Sequence, residues 1–449
     1  MDLLSKRNLA ILGACTVIIA AILVASYMME SRPDMGDGDD DIVTDTVMML
    51  ENGEFQTFYD GCAPNMQTAV GDVDGLSVIW DQYTYGIGTF ETIEGTETWQ
   101  SRGETMSQAY CRHSEWGLLL TISFSDDDSI TSLNISYYEP EGLDKLPEGL
   151  TETDVTVDAG AGFPLPGTLT SSETSSNDIA AVIVHGSGPN DRDGTVMVNK
   201  PYRDISRGLA LKGIDVLAYD KRTFAYPQFS DNPAYATVDD ETVDDAVAAV
   251  RMLKEMGYSE VYIVGHSMGG MLAPYIVQRC EGDCDGFVSL AGSPRTITDI
   301  LADQIWAQCR DLPDAERYRA YIKGELAKAD ALADMTDVER ATTMVFGQSG
   351  YYIWSINSID SASIAGSLSV PMLFLQGSTD IQVLADVDYV RWIGALSDDP
   401  AAEFALYDGL NHLFMESDGP YMGTALEYSK RGHVDQAVID DMAEFIMGS

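Results

Sequence analysis

The spacing of hydrophobic residues from about residue 152 onward is typical of strands that alternate with helices. Short apolar runs are followed by longer segments with helical spacing. In residues 242–256, Val243, Val247 and Val250 fall on one helix face, and Gly257 stands where the helix would end. The predicted strands are residues 180–184, 215–219, 261–264, 286–290, 371–375 and 403–407. This alternation predicts an α/β fold with a doubly wound, mostly parallel sheet that is covered by helices on both faces.

A long insertion separates two of these predicted strands. It spans about residues 296–362 and contains helical patterns such as ITDILADQIWAQ. An insertion at this place in the chain can fold over the carboxyl ends of the strands. We therefore expect residues 152–449 to form one unit, with residues 296–362 as its helical lid.

The pattern before residue 139 predicts a separate, small α+β domain over residues 43–138. A helix is expected around residues 47–66, although Gly53 and Pro64 interrupt its pattern. Alternating apolar residues then predict strands at 83–92, 97–111, 117–125 and 130–138. Residues 30–42 are acidic and contain Gly and Pro, and residues 139–151 are similar, so both are predicted to be linkers.

The N-terminal segment, residues 1–29, has the composition of a membrane-spanning helix. Lys6 and Arg7 precede an uncharged apolar run from Leu9 to Met28, which is 20 residues and long enough to cross a bilayer. The basic flank predicts that the N-terminus stays inside and that the remaining chain lies outside the cytoplasm. A cleaved signal peptide is the alternative, and the protein would then be secreted.

The charge and the cysteine content of the chain indicate which partners, disulfides and metal sites to expect. The chain has a formal net charge of −46, which repels nucleic acid and excludes that class of partner. Outside the cytoplasm disulfides can persist, and Cys62 with Cys111 and Cys280 with Cys284 are natural pairs, leaving Cys309 unpaired. The sequence has no Cys-x-x-Cys or paired-His spacing, so no metal site is expected. It leaves the oligomeric state open.

The first chemical motif is a serine between a predicted strand and a predicted helix. Residues 261–264 lead into GHSMGG at 265–270 and then into the apolar segment MLAPYIVQRC. Such a turn exposes a serine, and small residues two positions on either side allow the strained backbone to close. A serine hydroxyl becomes a nucleophile when a base removes its proton. Ser267 is therefore the predicted nucleophile.

An acid and a histidine follow two later strands. Asp380 stands in the loop after strand 371–375, and His412 stands in the loop after strand 403–407. Because functional residues of parallel sheets gather beyond the carboxyl ends of the strands, we expect both to lie near Ser267. His412 would accept the serine proton, and Asp380 would orient the imidazole. Asp386 is the alternative acid. His433 is the competing histidine and is better interpreted as a capping or surface residue.

Acyl transfer also requires donors for the developing oxyanion. The amide of Met268 follows the nucleophile, and the amide of Ser187 lies in the loop after strand 180–184, so these are the predicted donors. His185 and His266 are interpreted as packing and hydrogen-bonding residues. The charged residues at 191–193 and 220–222 are interpreted as an ion-pair brace, with substrate orientation as the alternative.

Several segments together resemble the secreted or surface esterase branch of the α/β-hydrolase superfamily, which is described as dienelactone-hydrolase-like or serine-aminopeptidase-like. The similar segments are HGSGPNDRD (185–193), YDKR (219–222), GHSMGGM (265–271), LAGSPR (290–295), LQGSTD (375–380) and LNHLF (410–414). Members commonly carry a small N-terminal domain of unknown function, which residues 43–138 resemble. Thr223 departs from the broader superfamily, where Gly often follows the Lys-Arg pair.

The resemblance implies a carboxylesterase that acts on short or medium acyl esters without a cofactor. It implies Ser267, Asp380 and His412 as the triad, with the Ser187 and Met268 amides as the oxyanion hole. A small-molecule ester would be the substrate, and the N-terminal helix would contact the membrane. Two alternatives remain, a serine peptidase or aminopeptidase of the same fold and a catalytically inactive binding scaffold. An aminopeptidase needs an anchor for the charged peptide terminus, and the sequence identifies none.

Overall fold

The computed structural model describes residues 41–101, 103–160, 162–173, 175, 178–229 and 233–448. The predicted membrane helix in residues 1–29 and nearly all of the linker 30–42 lie outside the described residues. Within the described part of the chain, no helix combines the length and the apolar character that crossing a bilayer requires.

The first part of the chain packs four helices against a four-stranded antiparallel sheet. The helices span Asp41–Glu51, Phe55–Asp60, Pro64–Val70 and Val73–Thr84. The strands are β1 (Phe90–Ser101), β2 (Glu104–His113), β3 (Gly117–Phe124) and β4 (Ile130–Tyr138), in the order β1-β2-β3-β4. Their shared core is apolar and includes the buried Trp80 and Trp116.

Several predicted boundaries in this part are wrong. The single helix expected at 47–66 is three helices, because Gly53 adopts a φ of +72° and Pro64 begins a new helix. The strand expected at 83–92 begins only at Phe90, since a helix continues to Thr84. The strand expected at 97–111 is a hairpin that turns at Gly103, whose φ is +84°.

The second sheet has eight strands and is mostly parallel. In chain order they are β5 (Leu150–Val157), β6 (Leu165–Ser172), β7 (Ile179–Val184), β8 (Asp215–Tyr219), β9 (Glu260–His266), β10 (Gly286–Leu290), β13 (Met372–Gly377) and β14 (Ala402–Tyr407). Their spatial order is β14-β13-β10-β9-β7-β8-β6-β5. All six predicted strands are present within two residues of their expected bounds. The first two strands were not predicted, and both pair antiparallel, so the sheet is mixed. Strand β5 begins at Leu150, inside the segment predicted as a linker.

Helices cover both faces of this sheet, as expected for a doubly wound fold. Helices Asp244–Met256 and Met268–Arg279 pack on one face, and helices Pro201–Leu211 and Gln436–Gly448 pack on the other. Consecutive residues of β9 point to opposite faces, with Ile263 in the first core and Val264 in the second. Burial on both faces explains why the central strands are continuously apolar.

The segment between β10 and β13 is mainly helical. It contains helices Ile297–Cys309, Ala315–Ala331, Asp337–Thr342, Gly350–Asn357 and Ser361–Ala365, and a small hairpin of β11 (Met344–Val345) and β12 (Gln348–Ser349). Further short helices are Arg222–Ala225 and Val390–Leu396. Tyr352 extends from this segment to Met268, with its hydroxyl 3.6 Å from the methionine sulfur. The segment therefore reaches the start of the helix that follows Ser267.

The predicted disulfides are wrong for this structure. Cys62, Cys111, Cys280, Cys284 and Cys309 are all free and buried. The Sγ of Cys62 lies 3.3 Å from the carbonyl oxygen of Phe58, and the Sγ of Cys284 lies 3.3 Å from that of Gly286. These thiols face backbone carbonyls, and burial raises the pKa of Cys62 to about 11, which keeps it in the unreactive thiol form.

Candidate active site

Ser267 occupies a strained turn between β9 and the helix Met268–Arg279. Its φ is +55° and its ψ is −115°, a conformation that non-glycine residues rarely adopt. Small residues on either side make this turn sterically possible. A Cβ on Gly265 would lie 2.3 Å from the carbonyl oxygen of Gly269, and a Cβ on Gly269 would lie 2.2 Å from that of Val184. The turn leaves Ser267 partly exposed.

Asp380 and His412 are in direct contact at the same edge of the sheet. Asp380 follows β13, His412 follows β14, and His412 Nδ1 lies 2.7 Å from Asp380 Oδ2. Both side chains are buried. A carboxylate can only accept, so Nδ1 carries the hydrogen and Nε2 is left to accept a proton.

The carboxylate of Asp380 is fixed by three further hydrogen bonds. Its Oδ2 accepts from Nε2 of Gln376 at 2.9 Å, and its Oδ1 accepts from the amides of Gln382 at 2.7 Å and Val383 at 3.0 Å. Together with Nδ1 of His412, these three donors fix the carboxylate in one orientation. Gln376 is not among the residues predicted from the sequence, although its position four residues before Asp380 is a signal for it.

His266, which directly precedes Ser267, contacts His412 of this pair. His266 Nε2 lies 2.9 Å from the backbone carbonyl oxygen of His412, and the two rings are 4.7 Å apart. The hydrogen bonds of the described residues do not include a direct one between the Ser267 hydroxyl and the His412 ring. Such bonds are often long in enzymes without substrate and tighten in the complex. The structure thus joins Asp380 and His412 directly, and it joins His412 to His266, the residue that precedes Ser267.

The two predicted oxyanion donors lie on either side of Ser267. Met268 is the first residue of its helix, where backbone amides have no acceptor within the helix. Ser187 follows β7 in an exposed position, and a Cβ on the preceding Gly186 would lie 3.2 Å from Cβ of Ser267. Met268 thus directly follows Ser267, and Gly186, which precedes Ser187, packs against the Cβ of Ser267.

The other histidines are not suited to be the base. Burial lowers the pKa of both His185 and His266 to about 3, so each is neutral and enclosed. His433 is exposed, and its Nδ1 lies 3.2 Å from Asp204, which raises its pKa. Asp386 is exposed on a π-helical turn, whereas the carboxylate that contacts the buried His412 is that of Asp380.

The charged segments near this edge form ion pairs, as in the brace interpretation. Arg192 forms a two-pronged contact with Asp220 at 2.9 and 3.0 Å. Arg222 pairs with Asp245, whose pKa is raised to about 6, chiefly by burial. Asp245 was not predicted, because it lies on a helix far from the loop in sequence. Within the described residues, no group of three or more His, Cys, Asp or Glu side chains could hold a metal ion.

Comparison with known proteins places these residues in a family context. A family model described as serine aminopeptidase, S33, matches residues 193–343, which include Ser267 but end before Asp380. The chain is 32% identical over 409 residues to the esterase EstD of Thermotoga maritima, covering 89% of this chain and 93% of that protein.

Two solved structures align with about two thirds of this chain at low sequence identity. Est1E from Butyrivibrio proteoclasticus is 14% identical with a TM-score of 0.42, over 66% of this chain and 99% of that chain. A dienelactone hydrolase from Anabaena variabilis is 15% identical with a TM-score of 0.40, over 67% of this chain and 99% of that chain.

Proposed function

Because the chain belongs to the α/β-hydrolase superfamily and is a serine hydrolase, we propose that it hydrolyses carboxylic esters of short or medium acyl length. The observation that carries this proposal is the buried 2.7 Å contact between Asp380 and His412 at the sheet edge where Ser267 forms its strained turn. The esterase name of the relative that covers most of the chain supports the same reaction.

The proposed reaction has two halves. His412 Nε2 takes the hydroxyl proton of Ser267 as the oxygen attacks the ester carbonyl, and Asp380 stabilises the resulting imidazolium. The amides of Ser187 and Met268 hold the oxyanion of the tetrahedral intermediate. The proton passes to the departing alcohol and leaves an acyl-enzyme on Ser267. Water activated by His412 then releases the acid and regenerates the serine.

A serine peptidase is the second candidate, because the family model that matches residues 193–343 carries the serine aminopeptidase description. An aminopeptidase needs an unpaired carboxylate for the substrate ammonium. Two buried carboxylates near this edge already have cationic partners, since Glu241 contacts Lys221 at 3.1 Å and Asp388 contacts Arg295 at 2.6 Å. This pairing favours the esterase.

The test uses a fluorophosphonate probe and two substrate panels. We expect the probe to label the wild-type protein at Ser267 and to leave Ser267→Ala unlabelled. p-Nitrophenyl esters of graded acyl length should be turned over, while aminoacyl anilides should not. Turnover of anilides without esters would make the protein a peptidase, and a wild-type protein that neither reacts with the probe nor hydrolyses either panel would be an inactive scaffold.

We also propose that residues 1–29 anchor the protein in a membrane with the catalytic part outside the cytoplasm. The support is the uncharged run Leu9–Met28 behind Lys6 and Arg7. Protease treatment of intact cells should remove the catalytic part from the membrane fraction. Recovery of a chain that lacks residues 1–29 from the medium would instead indicate a cleaved signal peptide.

A further inference from the structure

The ammonium group of Lys221 lies beneath the loop that carries Ser187. Lys221 follows β8 and its side chain is 1% exposed. Its Nζ donates to the carbonyl oxygen of Gly186 at 2.9 Å and contacts Oε1 of Glu241 at 3.1 Å. Burying a lysine is costly unless its charge is paired and its hydrogens are bonded. This arrangement meets both conditions and directs the charge at a single backbone carbonyl.

That carbonyl belongs to the same peptide unit as the amide of Ser187. The unit is trans, so its C=O and N–H bonds point in opposite directions. Holding the Gly186 oxygen on the Lys221 side therefore turns the Ser187 N–H away from Lys221. Asn190 donates to the same oxygen at 3.3 Å and reinforces this orientation. A cation on the carbonyl also polarises the peptide and makes its N–H a stronger donor.

The partner of Lys221 connects this peptide to the helical insertion. The other carboxylate oxygen of Glu241 accepts a hydrogen bond from the hydroxyl of Tyr352. Burial raises the pKa of Tyr352, so its hydroxyl keeps the proton that it donates. The same hydroxyl lies 3.6 Å from the sulfur of Met268, whose amide is the second proposed donor. One buried chain of contacts therefore runs from the support of Ser187 to Met268.

We propose that Lys221 is a positioning residue for the oxyanion hole, which holds and polarises the Gly186–Ser187 peptide so that its N–H faces the tetrahedral intermediate. This inference rests on the proposed esterase function. It assigns Lys221 no contact with the substrate, so its effect should fall on the transition state and leave ground-state binding unchanged.

The test compares Lys221→Met with the wild-type protein on a p-nitrophenyl ester. Removing one oxyanion donor outright costs roughly 100- to 1,000-fold in kcat, so a misoriented donor should lower kcat by about 30- to 100-fold. KM should change less than about threefold, since ground-state binding is kept. The affinity for a trifluoromethyl ketone, which forms an oxyanion adduct on the serine, should fall by the same factor as kcat/KM.

Loss of Lys221 also leaves Glu241 buried without its cation, and the variant can fail to fold for that reason. The double variant Lys221→Met/Glu241→Gln removes both charges and should fold while showing the same kinetic loss. Lys221→Arg keeps a cation at this position, so its kcat should be at least about tenfold higher than that of Lys221→Met.

Lys254→Met is the matched control. Its ammonium also bonds a carbonyl and a carboxylate, at 2.6 Å to Ser259 and 2.7 Å to Asp285, but at the amino-terminal ends of the strands. Its kcat and analogue affinity should equal those of the wild type. A folded Lys221 variant, single or double, with wild-type kcat would overturn this inference while leaving the esterase proposal intact. Absence of ester turnover in the wild-type protein would instead overturn the esterase proposal itself.

Discussion

A hydrogen bond joins His266 to the backbone of His412, with 2.9 Å between Nε2 and the carbonyl oxygen. The carbonyl can only accept, so Nε2 carries the hydrogen and Nδ1 accepts from the hydroxyl of Tyr202 at 3.1 Å. The same hydroxyl accepts from the amide of Gly186 at 3.1 Å. One neutral imidazole thus links the loop of the proposed base to the loop of a proposed oxyanion donor.

Replacing His266 by Phe should therefore disturb catalysis without touching the triad. Phe keeps a ring of similar size but removes both hydrogen bonds, so the loop of the proposed base is no longer tied to the loop of the proposed oxyanion donor. We expect kcat to fall by about tenfold, which corresponds to about 1.4 kcal/mol of transition-state stabilisation. The free energy of unfolding should drop by about 1–3 kcal/mol, because a buried hydroxyl and carbonyl lose partners. Steady-state kinetics and urea denaturation measure the two effects. His433→Phe, at an exposed histidine, should leave kcat unchanged, and an unaltered kcat in His266→Phe would contradict the role given to this link.

The choice between the two candidate acids can be decided by a matched pair of variants. Asp380→Asn keeps the shape of the side chain but lets it donate towards His412 Nδ1, which favours the wrong tautomer. We expect kcat to fall by about 1,000- to 10,000-fold, as removal of this charge does in serine proteases. Asp386→Asn should retain wild-type kcat because Asp386 is exposed on its turn. If Asp386→Asn were the inactive variant, the assignment of the acid would be wrong.

The pH dependence of stability should report the two buried histidines. The pKa values of His185 and His266 are lowered from 6.5 to about 3 by burial. Between pH 6.5 and about pH 3, each ring is neutral in the folded protein and protonated in the unfolded chain. The free energy of unfolding therefore falls as the pH drops below about 6.5. Between pH 6.5 and pH 5, one such histidine lowers the free energy of unfolding by about 2 kcal/mol.

Urea denaturation at about pH 7 and about pH 5 can isolate this contribution. The wild type and His185→Phe share the same acidic groups, so the effect of their titration cancels in the comparison. Over this interval we expect the free energy of unfolding of the variant to fall by about 2 kcal/mol less than that of the wild type. His433→Phe should not reduce the loss, because the pKa of His433 is raised. Equal losses in His185→Phe and the wild type would mean that His185 is not buried in its neutral form.

The sequence predicted the catalytic sheet well because its signals are local. Central strands buried on both faces are continuously apolar, and Ser267 and Asp380 each follow one of them. His412 follows β14, the strand at the edge of the sheet. Since parallel strands end at one edge, order along the chain was enough to predict the contact between Asp380 and His412. Strand β5 was missed because it is polar and mostly exposed, with only its two end residues fully buried. The alternating signal that identifies a half-buried strand is weak in such an edge segment.

The residues that support the site could not be predicted from local signals. Tyr352 meets Glu241 across 111 positions of sequence, and Asn199 bonds the backbone of Tyr428 across 229. Nothing in the sequence around either residue specifies its partner. The cysteine pairs were predicted from proximity along the chain, yet a disulfide depends on the direction of each side chain. Cys62 and Cys284 face backbone carbonyls and remain thiols.

The geometry of the serine turn predicts that Gly269 tolerates no side chain. A Cβ there would lie 2.2 Å from the carbonyl oxygen of Val184 and 2.8 Å from that of His185. Both contacts are with backbone that belongs to the central sheet, so relief requires moving a strand end. We expect Gly269→Ala to lower the free energy of unfolding by about 3 kcal/mol or more, the range for severe overpacking. Activity should fall with it, because the shift displaces Ser267.

Gly324→Ala makes the same substitution at another glycine, and we expect it to raise the free energy of unfolding instead of lowering it. Gly324 lies inside the helix Ala315–Ala331, and a Cβ there meets no atom within 4 Å. Alanine is the better helix former, so this variant should gain about 0.5–1 kcal/mol and keep its activity. Urea denaturation of both variants measures the expected decrease in the free energy of unfolding for Gly269→Ala and the expected increase for Gly324→Ala. A Gly269→Ala protein as stable as the wild type would show that the turn is looser than its contacts imply, and the strain assigned to Ser267 would then lose its support.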